Sequence, residues 1–419
     1  MCDLEHLERD IEEIMAVARE CGLDFRDMHF EICPPEVLYS FGAYGMPTRF
    51  GHWSFGKAYQ RIKAEYDHNL SRMYEMVINT DPCYAFLLQG NSRIQNRLVI
   101  AHVLAHSDFF KHNAYFARTA PRTALDSMAA AAGRFRGYEE ACGRDRVEQF
   151  LDAALAVAEH VDYPRHPAYA GRAGAGESAD HPKNDFLGFI ARFAHHLDSW
   201  ERDILAVVRD ESLYFRPQSA TKLCNEGWAT FWHLEIMRRL ELTEAEAVDF
   251  ARMHAQLVQP LRLQVNPYLL GLSIFADIDR RWGRDAVFEA RVTSDDAGFL
   301  RNHLTEELVR EMGLFVFRRI GYEWRAVEKD WRVVRDTLVQ NLFNCGHPYI
   351  LVETGDFNGR GELYLKHHYE GVELDVHYLE KTLPLVHRLW GRPVHLETVL
   401  EEKEMLFSFV GDKISKRLI

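Results

Sequence analysis

Apolar residues recur at Leu4, Leu7, Ile11, Ile14 and Val17, a spacing of three and four that places them on one face of a helix ending at Gly22. From Cys33 to Gly56 the pattern gives way to Pro, Gly and aromatic residues, which predict an ordered loop packed by its own rings. A second stripe, Tyr59, Ile62, Tyr66, Leu70, Met73 and Val77, predicts a helix over 57–77 that Asn79-Thr80-Asp81-Pro82 closes. Helical patterns return at about 92–117, 123–141 and 144–161. The stretch 163–185 holds Pro164, Pro167, Gly171, Gly174, Gly176 and Pro182 without an apolar period, and so predicts a long mobile loop. Helices are expected again at about 186–212, 225–240, 243–258, 265–282, 296–318 and 322–341.

After Asn344 the period changes. Tyr349–Thr354 and Gly361–His367 alternate as strands joined across Gly355-Asp356-Phe357-Asn358-Gly359, a hairpin signal. A helix at 377–390 and a further strand pair within 394–410 follow. The expected fold class is therefore mainly α: a large helical body over 1–344 and a small α+β C-terminal domain over 345–419. No repeat of solenoid period is visible.

Composition narrows the classes of function. With 419 residues and 47% hydrophobic side chains the chain buries substantial cores. Its 63 acidic and 50 basic side chains leave a formal charge of -13, which disfavours nucleic acid. The seven cysteines are scattered with no C-x-x-C pair, as expected of reduced thiols. Met1 to Glu20 lacks the uncharged core of a signal peptide, and no apolar run could span a membrane, so a cytoplasmic address is expected. The oligomeric state is not legible.

The sharpest chemical signal is His102-Val103-Leu104-Ala105-His106, whose i, i+4 spacing puts two imidazoles on one helical face. Pairs of this kind also arise on solvated faces. A second signal is Asn225-Glu226-Gly227-Trp228-Ala229-Thr230-Phe231-Trp232-His233, where Glu226 and His233 share a face with only small residues between them. Alone, Glu226 also reads as a helix N-terminal charge. Together His102, His106 and Glu226 match the three protein ligands of an open two-histidine, one-carboxylate zinc site. Zinc, or another divalent transition metal, suits that donor set. The metalloprotease pattern H-E-x-x-H carries its general base where this chain has Val103. The base would then be Glu75 or His233, because Asp108 points away from the histidine face; His233 could instead be a fourth ligand closing a structural site.

Other features have plainer readings. Arg202 and Arg209 belong to a helix with an apolar face and read as ion-pair partners, with anion binding, or Glu211 joining the metal shell, as the alternative. The loop 41–57, with Arg49, His52 and Lys57 among aromatics, serves equally as pocket lining or as packing. There is no P-loop, G-x-G-x-x-G or G-x-S-x-G motif.

Five segments carry a resemblance: Trp53–Tyr59, Tyr74–Thr80, Ala101–Lys111, Pro217-Gln218 and Asn225–His233. Through them the chain resembles the SpoVR family, bacterial proteins named after a stage V sporulation function. The resemblance implies association with spore cortex formation or with stress physiology, beside an AAA-type serine kinase and a von Willebrand-type domain protein as partners. The Asn-Glu-Gly-Trp-Ala segment also resembles the glutamate-bearing helix of gluzincin peptidases, which would make Glu226 the third zinc ligand in a zincin-like site. Val103, and the 120 residues between His106 and Glu226, depart from that pattern. Two functions are expected to compete: a metal-dependent hydrolase of an amide or ester bond, and a non-enzymatic regulatory or scaffold protein with a structural metal in a serine-kinase pathway.

Overall fold

The structure is a computed structural model that describes residues 4–67, 75–161, 185–261 and 263–419. The mobile loop expected at 163–185 lies outside the described residues except for Asp185. In chain order the first helices are α1 (Leu4–Glu20), α2 (Pro35–Tyr44), α3 (Trp53–Asp67) and α4 (Arg93–His112), interleaved with strands β1 (Met28–Cys33), β2 (Glu75–Ile78) and β3 (Cys83–Leu88). Then come α5 (Ala124–Cys142), α6 (Arg144–Leu155), α7 (Phe186–Phe193), α8 (Ser199–Ala220), α9 (Lys222–Met237), α10 (Glu244–Leu257) and α11 (Pro267–Trp282). Next are α12 (Arg284–Thr293), α13 (Asp296–His303), α14 (Glu306–Glu311), the ribbon β4 (Val316–Ile320) and β5 (Glu323–Glu328), and α15 (Trp331–Leu342). The C-terminal part comprises β6 (Ile350–Phe357), β7 (Glu362–His367), α16 (Val376–Trp390), β8 (Val394–Leu400), β9 (Lys403–Val410) and β10 (Lys413–Leu418). The chain is mainly helical with a sheet-rich C-terminal part.

The chain forms two compact units, Met1–Ser127 with Pro217–Phe343, and Met128–Arg216 with Asn344–Ile419. This grouping differs from the 1–344 and 345–419 division read from the sequence. The helical pattern of 128–216 does not reveal its partner, which is the C-terminal sheet unit: α16 packs on α6 and on β8 and β9, and α7 on β6.

In the first unit α4 is buried nearly all round, from Ile94 to Phe110, which marks it as a core helix rather than a surface one. A capping box fixes its start: the Ser92 side chain accepts from the Gln95 N–H while Gln95 Oε1 accepts from the Ser92 N–H at 2.7 Å. Arg93 and Arg97 of α4 reach Asp10 and Glu13 of α1 at 2.7 and 2.9 Å. The small sheet β1-β3-β2, parallel between β1 and β3 and antiparallel between β3 and β2, lies beside α4. It corrects the helix expected over 57–77, which ends by Asp67 before residues 75–78 pair with β3, where the apolar Met76 and β-branched Val77 and Ile78 suit a strand. Likewise 296–318 is two short helices and a strand, and of 322–341 only 331–341 is helical, because Gly313 and Gly321 take positive φ and Thr305 and Asp330 start new helices.

The second unit has a five-stranded sheet in the order β10-β9-β8-β7-β6. The expected hairpin is β6–β7, α16 is the crossover to the parallel partner β8, and β8–β9–β10 is a meander. His367 of β7 is buried, with Nδ1 2.9 Å from Thr398 Oγ1 on β8. Burial, and then the neighbouring His368, hold its imidazole down to about 4. The unfolded chain takes up this proton near pH 6.5 and the folded one only near pH 4, so stability is lost as pH falls between those values and changes no further below them. Between pH 7.5 and 4.5 the chain should lose on the order of 2 kcal/mol more stability than its His367→Gln variant in urea unfolding. Equal losses would remove His367 as the cause.

Candidate metal centre

The site is made where α9 lies between α4 and α11. Thr221, at the start of α9, makes no side-chain cap, and its place is taken from a distance: the Asp296 carboxylate accepts the Leu223 and Cys224 N–H groups, both at 2.9 Å. Burial pushes the Asp296 carboxyl up to about 7 despite these two donors. At Gly227 the α9 backbone touches that of α11. A Cβ on Gly227 would stand 2.4 Å from Gly271 Cα, and one on Gly271 2.5 Å from both Gly227 Cα and the Leu223 carbonyl oxygen. No side chain fits there.

That approach fixes the residue before Gly227. Glu226 Oε2 lies 3.7 Å from His102 Nε2 and 3.5 Å from His106 Nε2. It is buried and has no hydrogen-bond partner. Donors held about 2.1 Å from one tetrahedral ion stand about 3.4 Å apart, close to the two carboxylate–imidazole separations, and all three ligand atoms lie within 4.8 Å of one another. Among the described residues these three form the group of side chains that could hold a metal. Both histidines are buried, while the Glu226 side chain keeps 19% of its surface.

The far ring nitrogens are also engaged. His106 Nδ1 is 2.9 Å from Asn225 Oδ1, an acceptor only, so Nδ1 carries a proton and Nε2 is the ring atom that would face a bound cation. His102 Nδ1 is 2.8 Å from His233 Nδ1, and His233 Nε2 is 3.0 Å from His254 Nδ1. If His102 Nε2 offers a lone pair, its Nδ1–H donates to His233, whose Nε2–H donates to His254 on α10. The fully buried His233 is held well below its ordinary value, by burial first and then by the neighbouring imidazoles. Burial raises the Glu226 carboxyl, but the two imidazoles, where they present N–H and not a lone pair toward it, override burial and hold it well below the usual carboxylate range; a bound cation would take over that role.

The remaining sequence candidates fall elsewhere. Glu75 opens the edge strand β2, opposite Leu87 of β3. Asp108 is fully buried, with both oxygens 2.7–2.8 Å from Arg291 and the Asp24 N–H donating to it at 2.8 Å, which makes it structural. Arg202 donates to the Ala191 and Ala194 carbonyls and Arg209 pairs with Asp185 at 2.6 Å. Glu211 belongs to the other unit from Glu226. Of the loop expected from Cys33 to Gly56, Pro35–Tyr44 is the helix α2 and α3 begins at Trp53; between them Arg49 lies 4.4 Å over the Phe55 ring, His52 Nδ1 is 2.7 Å from Ser54 Oγ, and Thr48 Oγ1 donates to the Leu125 carbonyl. Sequence reading missed His254, Asn225 as the partner of His106, and Asp296. Only Asn225, adjacent to Glu226, carried a local signal.

A mainly helical protein with a buried two-histidine, one-carboxylate cluster is the class that fold and site define. The family model described as SpoVR like protein matches residues 2–177 and 166–347, and that described as SpoVR-like C-terminal domain matches 348–401. The chain belongs to the SpoVR family. It is 29% identical over 469 residues to the uncharacterized protein YcgB of Escherichia coli (strain K12), covering 94% of this chain and 91% of that one. No solved structure matches it.

Gly271→Ala should cost at least about 1–3 kcal/mol in urea unfolding, the range for overpacking a close contact. Gly137→Ala, in α5 where a Cβ meets open space, should be neutral or stabilising by up to about 1 kcal/mol. If the two behave alike, the helix contact is not the constraint described.

Proposed function

We propose that His102, His106 and Glu226 hold one zinc or other divalent transition metal in an open, gluzincin-like site, and that the protein is a hydrolase of an amide or ester bond. The single observation that carries this reading is the buried Glu226 Oε2, without a hydrogen bond, at 3.5 and 3.7 Å from two imidazole nitrogens. Three protein ligands leave a fourth position for substrate, the arrangement of catalytic rather than structural zinc. When bound, the metal would polarise a substrate carbonyl and lower the pKa of water.

The chain's own residues would do the rest. Asn225 and the His233–His254 pair hold the two ligating rings in the tautomer that leaves Nε2 free, a supporting shell that typically controls metal affinity. Of the two bases considered, His233 has both ring nitrogens hydrogen-bonded to other imidazoles, which suits positioning better than proton transfer. Glu75, on the edge strand beside α4, is the base we favour.

The second reading is a regulator or scaffold whose metal is structural, acting with an AAA-type serine kinase and a von Willebrand-type domain protein. It is favoured by Val103, fully buried where a zinc peptidase has its general base. The family resemblance supports a link to the spore cortex, the cell wall or stress physiology in either case. A cytoplasmic hydrolase would meet cell-wall precursors or proteins, not mature wall. No helix among the described residues is long and apolar enough to cross a membrane.

Plasma mass spectrometry of protein expressed with zinc should find one ion per chain, absent from the His102→Ala/His106→Ala/Glu226→Ala variant. Metal retained by that variant, or missing from the parent, overturns the site. Asn225→Ala should keep the fold and weaken metal binding about 10–100-fold in competition with a chelator, and an unchanged affinity would deny Asn225 its positioning role. Glu226→Gln should abolish amide or ester hydrolysis if the first reading holds; a metal-loaded parent with no such hydrolysis leaves the second.

A further inference from the structure

The second unit contains a cavity of about 560 Å³ that no motif announced and whose lining residues all belong to that unit. Its size is in the range of small-molecule sites. Phe189 and Phe193 of α7 and Trp390 at the end of α16 form its apolar wall. Phe189 and Trp390 are stacked, with ring centres 5.8 Å apart at 25°, and the half-buried Phe189 and Phe193 rings keep surface to offer. Gly355 of β6 belongs to the same wall, where a Cβ would stand 2.8 Å from the Trp390 ring and 3.2 Å from Phe189.

Two arginines, Arg360 and Arg392, also line the cavity. Three other arginines of this unit are ion-paired, Arg209 with Asp185, Arg134 with Asp203 and Arg146 with Asp198. The Arg360 and Arg392 guanidiniums have no carboxylate partner among the described residues, and both side chains are exposed at the cavity. The loop that carries them is already held in shape. Trp390 Nε1 donates to the Gly361 carbonyl at 2.9 Å, Arg392 Nη1 donates to the Arg360 carbonyl at 3.1 Å, and Asp356 Oδ1 accepts the Gly361 N–H at 2.7 Å. Gly361 has φ +67° and leaves no room for a Cβ beneath the Arg392 guanidinium.

Flat apolar faces, two unpaired guanidiniums and one carboxylate oxygen left over on Asp356 are three distinct recognition elements around one space. We propose that this cavity binds a nucleoside monophosphate. The base stacks on Phe189 and Phe193, as bases do on aromatic platforms. Arg360 and Arg392 take the phosphate. The second oxygen of Asp356 accepts from a ring amino group, which favours adenine, guanine or cytosine over uracil.

Isothermal titration of the full chain with the 5′-monophosphates of adenosine, guanosine, cytidine and uridine tests this, with adenosine and inorganic phosphate as separate arms. At least one of the first three should bind at micromolar concentration, and at least tenfold more tightly than either its nucleoside or phosphate. Arg360→Ala, an exposed position whose loss leaves the core intact, should weaken that binding at least tenfold; Phe193→Leu should weaken the nucleotide but not phosphate. No binding by any of the four, phosphate binding as tight as the nucleotides, or binding unchanged in Arg360→Ala overturns the proposal.

Discussion

The site depends on how closely two helix backbones can approach. Gly227 and Gly271 let α9 and α11 touch without intervening side chains, and that contact sets the depth at which α9 sits against α4. Glu226 precedes Gly227, so its carboxylate inherits this placement and meets the two imidazoles of α4. A side chain at either glycine would move the helices by ångströms, and a ligand set tolerates only tenths.

Burial then turns placement into chemistry. His102, His106 and His233 are inside a core of aromatic and aliphatic residues, where a polar ring nitrogen must be satisfied. Asn225 and the His233–His254 pair satisfy the outer nitrogens, leaving the inner ones aimed at one carboxylate. Asp296 serves the same helix at its start by replacing the missing cap. The apolar surroundings make the charge of Glu226 expensive unless a cation or donors face it: imidazole N–H groups without a metal, and the ion itself when the ring nitrogens give it their lone pairs.

Much of this was legible in the chain, because helical spacing is local. The i, i+4 pair His102 and His106, and Glu226 near the start of a second helix, need only the 3.6-residue period to be recognised as faces. Contacts between distant segments leave no such trace. Nothing in the chain near Asp296 or His254 marks them as partners of α9, and Gly271 reads as an ordinary interruption of an apolar helix until its neighbour is known. The same holds for 128–216, whose amphipathic helices show that they pack but not on what. Strand β3 and the end of β2 are short apolar runs that fit helix and strand alike, while β1 alternates apolar residues with His29 and Glu31 over only six positions, too short to stand out.

The central claim is that the three side chains surround one metal ion, and anomalous diffraction at the zinc absorption edge from crystals grown with zinc tests it most directly. A single strong peak about 2.0–2.2 Å from His102 Nε2, His106 Nε2 and Glu226 Oε2, with His233 outside the coordination sphere, is the expected result. A peak bound elsewhere, one that takes His233 as a ligand, or hydrogen-bonded side chains with no peak between them would contradict it.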